Sequence, residues 1–170
     1  MRKILVVMYH YVREIKDSKF PNIKGLEIKE FRKQLDYLNN NFNIISCDTL
    51  ADFIKGNEKN IPNNACILTF DDGYKDHIDY VLPELIKRKI NGTFFPVISA
   101  VKENKILDVN AIQYILASNI NIKELLIDLK NELQKNNIPE DKFKKLWEEN
   151  AIKSFYDSKE IIFFKRILQR

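Results

Sequence analysis

Apolar and polar positions follow two regimes along this chain. Up to about residue 97, short unbroken apolar runs alternate with stretches in which apolar residues recur every three or four positions; beyond Ser99 only the second pattern continues. The runs at Ile4 to Tyr9, Phe42 to Ile45 and Cys66 to Phe70, and the stretch Asn91 to Val97, have the length and the β-branched and aromatic character of strands. Unbroken apolar character is what a parallel sheet covered on both faces requires. Between them, Ile28, Phe31, Leu35 and Leu38 fall on one helical face, and that helix ends in Asn39, Asn40 and Asn41. A second helix carries Leu50, Phe53 and Ile54, with Ser46 or Asp48 to cap it and Gly56 to close it. A third runs through Tyr74, Ile78, Val81, Leu82, Leu85 and Ile86, is bent or restarted by Pro83, and ends in Lys87, Arg88 and Lys89.

Strands alternating with helices predict a β/α unit with about four parallel strands, curled by right-handed crossovers into part of a barrel. After Ser99 the spacing predicts helices only, at Val109 to Ala117, Ile122 to Leu133, Lys142 to Ile152 and Ser158 to Leu168. The polar stretch Glu14 to Leu26, with Pro21 and Gly25, reads as a loop over the open end of the barrel, where substrate contacts fall. Asn57 to Asn64, with Pro62, reads as a polar turn.

The stretch that organises the chain is Cys66-Ile67-Leu68-Thr69-Phe70-Asp71-Asp72-Gly73-Tyr74, an apolar run that stops at two adjacent carboxylates. It puts Asp71 and Asp72 at the carboxyl end of a strand, where α/β proteins build their sites. Neighbouring carboxylates repel, so one of them on a divalent cation leaves the other free as a base. A capping role accounts for the pair without chemistry: Asp71 caps the helix from Tyr74, and Asp72 sits in its first turn. Of the two histidines, His10 ends the first strand, and His77 reads as a solvated residue on the third helix.

Composition narrows the classes. One domain's worth of chain, 170 residues with 45% hydrophobic content, suffices for a core. The 28 basic and 24 acidic residues are interleaved, so the net charge of +4 is no argument for nucleic acid. Cys47 and Cys66 lack metal-binding or disulfide spacing and read as free thiols. No apolar run approaches the roughly 20 residues of a membrane span, and the apolar stretch after Met1-Arg2-Lys3 is too short for a signal peptide, which makes the cytoplasm the default location.

Thr69-Phe70-Asp71-Asp72-Gly73-Tyr74 resembles the first motif of the polysaccharide deacetylases, the NodB-homology domain of carbohydrate esterase family four. Tyr9-His10-Tyr11-Val12 resembles the segment that opens many members, Gly92-Thr93-Phe94-Phe95 resembles the strand after the first motif, and Asp108 to Ala117 resembles a helical insertion of one subgroup. The resemblance implies a distorted (β/α) barrel, of which residues 1–98 hold the amino-terminal part and 99–170 a truncated helical insertion. It also implies hydrolytic removal of acetyl groups from N-acetylated sugars or polysaccharide. Carried over residue by residue, it makes Asp71 the general base, Asp72 a ligand of a divalent metal, zinc by analogy, and His10 and Tyr74 neighbours of the active site.

The His-Ser/Thr-x-x-His motif that completes the metal shell in the family is absent, as are the later arginine motif and the late Leu-x-x-His motif. The expectation is a chain that is inactive alone and that needs a complementing carboxyl-terminal chain or self-associates through an open sheet edge. Two further readings stay open. One is a non-catalytic half-domain that binds glycan or protein through its helical segment. The other is a magnesium site for phosphoryl transfer, which lacks a glycine-rich phosphate loop.

Overall fold

A computed structural model describes residues 3–57, 60–118 and 121–169. Met1, Arg2, Arg170 and two residues of the turn expected between Asn57 and Asn64, Glu58 and Lys59, lie outside the described residues. The chain divides into two compact units, residues 1–15 with 24–104, and residues 16–23 with 105–170.

The first unit is built on a wholly parallel four-stranded sheet. Strands β1 (Leu5–Tyr9), β4 (Asn43–Ile44) and β6 (Thr93–Pro96) all pair with β5 (Ala65–Asp72), which is therefore central. Tyr9 is level with Phe70 on β1, and Phe94 is level with Phe70 on β6. Since β1 occupies one edge of β5 from Cys66 to Phe70, β4 and β6 share the other, at its start and its end. Two short strands, β2 (Val12–Arg13) and β3 (Leu26–Glu27), form a separate parallel pair. Among the described residues no strand joins the outer edges of β1 and β6 to close a barrel.

Helix α1 (Ile28–Asn41) lays Ile28, Phe31, Leu35 and Leu38 on the sheet, all four buried as their spacing requires. The core joins Phe31 and Leu35 to Tyr9, Cys66, Leu68, Phe70, Val81 and Leu85. The Tyr9 ring stacks on Phe70 and meets Phe31 edge-on, both at 5.2 Å between centroids. Helix α2 (Cys47–Ile54) is capped by Ser46, whose Oγ accepts from the Thr49 amide at 3.0 Å; Asp48 occupies its first turn.

The third helix opens as a π-turn over His77–Val81, where the Leu82 amide bonds to the His77 carbonyl, and continues as α3 (Leu82–Arg88) with Pro83 in its first turn. A proline there has no N–H to give to an α-type bond, so the wider turn sits where the sequence placed a bend. Lys89 closes α3 in the left-handed region. Helix α4 (Ile98–Glu103) ends the unit.

The second unit packs α5 (Asp108–Ala117), α6 (Ile122–Lys135), α7 (Glu140–Asn150) and α8 (Lys159–Leu168) around Ile112, Leu129, Phe163 and Phe164. Phe163 is fully enclosed against Trp147 and Phe143, at 4.8 and 5.5 Å between ring centroids. No described helix is long and apolar enough to cross a membrane.

Three expectations change. The first strand is not covered on both faces: Val6 and Met8 of β1 are exposed, because only the face carrying Tyr9 has a helix against it. The segment expected as one loop from Glu14 to Leu26 is divided, since Phe20 packs on Tyr114 at 4.6 Å and the Asn22 amide bonds to the Ala117 carbonyl, within the helical unit. And His77, read as solvated, is 3% exposed. Its apolar neighbours come from β5 and β6 rather than from its own helix, so helical spacing did not reveal them.

Candidate functional site

Strand β5 carries the candidate residues, and its two-residue period sorts them. Cys66, Leu68 and Phe70 point into the core under α1 and α3, so Ile67, Thr69 and Asp71 belong to the opposite face. In register with them on that opposite face are Val6 and Met8 of β1 and Phe95 of β6. Asp71 is half-buried, and among the described residues its carboxylate has no hydrogen bond or ion pair.

Asp72 leaves the strand's conformation. Its φ is +72°, followed by +70° at Gly73. Asp is one of the few side chains that tolerate this region. At Gly73 a Cβ would stand 2.7 Å from Pro96 Cβ, so the close crossing of β6 requires glycine there. The turn places Tyr74 so that its phenol donates to Asp72 Oδ2 at 2.6 Å, a hydrogen bond to a charged acceptor. Burial, then the bonds to Asp72 and Tyr11, hold the Tyr74 phenol protonated far above its ordinary range. The capping reading is not what forms: Asp72 is held by a side chain, and the helix has no side-chain cap.

Two residues of the next turn fix the segment leaving β1. Arg13 makes a two-pronged pair with Asp76, Nε to Oδ2 at 2.5 Å and Nη2 to Oδ1 at 2.9 Å. His77 Nε2 bonds to the His10 carbonyl at 2.8 Å, which makes that nitrogen the N–H donor. Between these anchors the Tyr11 ring stacks on Tyr74 at 4.2 Å. His10 follows Tyr9, whose register partner is Phe70, so it stands at the level of Asp71. The fold thus brings all four expected positions, His10, Asp71, Asp72 and Tyr74, to the carboxyl ends of β1 and β5. Asp76 and His77 are the members that sequence reasoning missed. The only signal for them was their position one turn into the helix that follows the aspartates.

A zinc centre needs about four donors. Among the described residues no group of three or more His, Cys, Asp or Glu is placed to hold an ion. His77 spends Nε2 on a backbone carbonyl, and its buried Nδ1 meets no partner. The donors of the described residues therefore do not fit a self-sufficient zinc centre.

A wholly parallel sheet with a carboxylate pair at the end of its central strand is the arrangement of β/α proteins that build their sites at strand carboxyl ends, and the sequence assigns the chain within that class. The model of the polysaccharide deacetylase family matches residues 58–142, half of the chain, and the chain belongs to that family. Among solved structures it is similar to a de-N-acetylase from Aggregatibacter actinomycetemcomitans, with 26% identity and a TM-score of 0.52 over 61% of this chain and 42% of that one. The fold is also that of the deacetylase PplD from Streptococcus pyogenes, solved with acetate, with 18% identity and a TM-score of 0.52 over 68% of this chain and 53% of that one. The chain thus spans about half the length of these structures or less. No curated protein matches it.

Proposed function

We propose that this chain carries the aspartate-bearing part of a site that removes acetyl groups from N-acetylated carbohydrate. The observation behind the reading is the Asp71 carboxylate, half-buried and, among the described residues, without a hydrogen bond or ion pair, at the carboxyl end of the central parallel strand. In the proposed reaction Asp71 takes a proton from water as that water attacks the acetyl carbonyl carbon, the amide C–N bond breaks as the proton passes to the departing nitrogen, and acetate and the sugar amine leave. Asp72, held by Tyr74, serves as a metal ligand, and the remaining ligands come from groups outside this chain. The chain alone holds a divalent ion weakly and does not turn over, since affinity rests on ligand count and geometry.

The missing donors favour a second reading, a half-domain that binds glycan without chemistry. Titrating an oligomer of N-acetylglucosamine into isotopically labelled protein separates the two. The first reading expects amide shifts centred on Phe70 to Tyr74 and their loss in an Asp71→Asn, Asp72→Asn double variant. Binding left unchanged by the double substitution supports the second, and no binding at all counts against both.

A further inference from the structure

His77 is a costly residue where it stands. It lies in the π-turn almost entirely out of solvent, its ring among those of Phe70, Tyr74 and Phe94 at 5.6, 5.6 and 5.9 Å between centroids. Nε2 reaches the His10 carbonyl at 2.8 Å, so it carries the ring proton. Nδ1 is left a buried acceptor with no hydrogen-bond partner among the described residues. A buried polar atom without a partner destabilises a fold, and a phenylalanine of similar shape would fill the same aromatic cage without one. What the histidine adds over phenylalanine is one N–H, and that N–H is spent on His10.

That bond reaches the aspartates through a short chain of contacts. Asp76 and His77 are adjacent, and they hold the segment leaving β1 at two points, His77 at His10 and Asp76 at Arg13. Between these points Tyr11 is buried, its carbonyl accepts from the Leu26 amide at 2.9 Å, and the Arg13 guanidinium stands 5.2 Å from the centre of its ring. The same ring stacks on Tyr74 at 4.2 Å, and the Tyr74 phenol donates to Asp72. We infer that His77 is a positioning residue of the proposed site: by fixing the His10 carbonyl it sets Tyr11 against Tyr74 and so keeps the Tyr74 phenol on Asp72. The purpose of that placement rests on the function proposed above. The placement itself lies within the first unit, between His10 and His77.

Nuclear magnetic resonance on the full chain reads each link. In the wild-type protein His77 is expected to show a slowly exchanging proton on Nε2 and a bare Nδ1. The Tyr74 hydroxyl proton is expected as a resolved, slowly exchanging signal, since burial and a charged acceptor hold it. His77→Phe keeps the packing and removes the N–H; His77→Gln returns an amide N–H at the reach of Nε2. The expected result is loss of the Tyr74 hydroxyl signal and movement of the Tyr11 and Tyr74 ring resonances in His77→Phe, recovered in His77→Gln, with the amides of α5 to α8 unmoved. In titration with an oligomer of N-acetylglucosamine, His77→Phe is expected to bind about tenfold more weakly than the wild type and His77→Gln close to it. A His77→Phe protein that keeps the Tyr74 signal overturns the inference, and so do two variants that lose it equally, which gives the ring a packing role only. A wild-type ring without a proton on Nε2 overturns it whether or not the variants fold. Oligomer binding unaltered in His77→Phe overturns the positioning role and leaves the proposed function standing. The expected His77 and Tyr74 signals with no oligomer binding in the wild type bear out the placement and count against that function.

Discussion

Asp72 and Gly73 take two successive left-handed conformations at the end of β5, and a single glycine makes that possible. Gly73→Ala adds a methyl group that meets Pro96 in a backbone region alanine avoids. The expected cost is about 2–3 kcal/mol of stability, read by chemical denaturation. Asp76 is a second such position. Its carboxylate and the Arg13 guanidinium are both largely buried, at 11% and 18% side-chain exposure. Asp76→Ala removes the two-pronged carboxylate partner of this largely buried cation and is expected to cost about 3 kcal/mol. It also frees the segment between β1 and β2, so the Tyr11 and Tyr74 ring resonances are expected to shift with it. Unchanged rings would mean that the pair does not hold that segment.

The elements were legible where apolar spacing decides them and less so where a distant element does. Helix α1 follows from Ile28, Phe31, Leu35 and Leu38, and β5 from an unbroken apolar run. The π-turn was foreshadowed only as a bend at Pro83. Burial of His77 and exposure of Val6 and Met8 depend on which faces the other elements cover, which spacing along one segment does not encode. Helices α1 and α3 are tied by another feature that pattern reading passes over. Glu84 of α3 is buried, accepts from Arg32 Nε of α1 at 2.6 Å, and pairs with Arg88, which also bonds to Asp36 of α1 at 2.9 Å. Burial pushes the Glu84 carboxyl up, but the bonds and charges of Arg88 and Arg32 outweigh it and hold the group below its ordinary value. A carboxylate depressed in the folded state adds stability above its unfolded pKa and loses it as pH falls through the folded one. Stability is therefore expected to fall on the acid side of the usual carboxylate range, with a shallower fall in Glu84→Gln. Equal slopes in the two proteins would show that Glu84 contributes nothing to it.

At the scale of the molecule each unit has its own core, Phe31 and Phe70 in the first, Phe163 and Phe164 in the second. Phe163→Ala is expected to cost about 3–5 kcal/mol in the helical unit. In hydrogen exchange it speeds amides of α6 to α8 and leaves those of β5 protected; loss of protection in β5 as well would mean that the cores unfold together. The family was legible in the run from Thr69 to Tyr74, because its residues are neighbours in sequence. The absence of the family's histidine pair is read from the sequence alone, whereas the anchoring of Asp72 by Tyr74 and of His10 by His77 needed the fold. The proposed site keeps its aspartates in place but, among the described residues, groups too few donors for zinc. Zinc calorimetry on the purified chain, with Asp72→Ala as control, tests this directly. Weak binding that the control abolishes is the predicted result; tight one-to-one binding lost in the control would show a complete centre within the chain and contradict it.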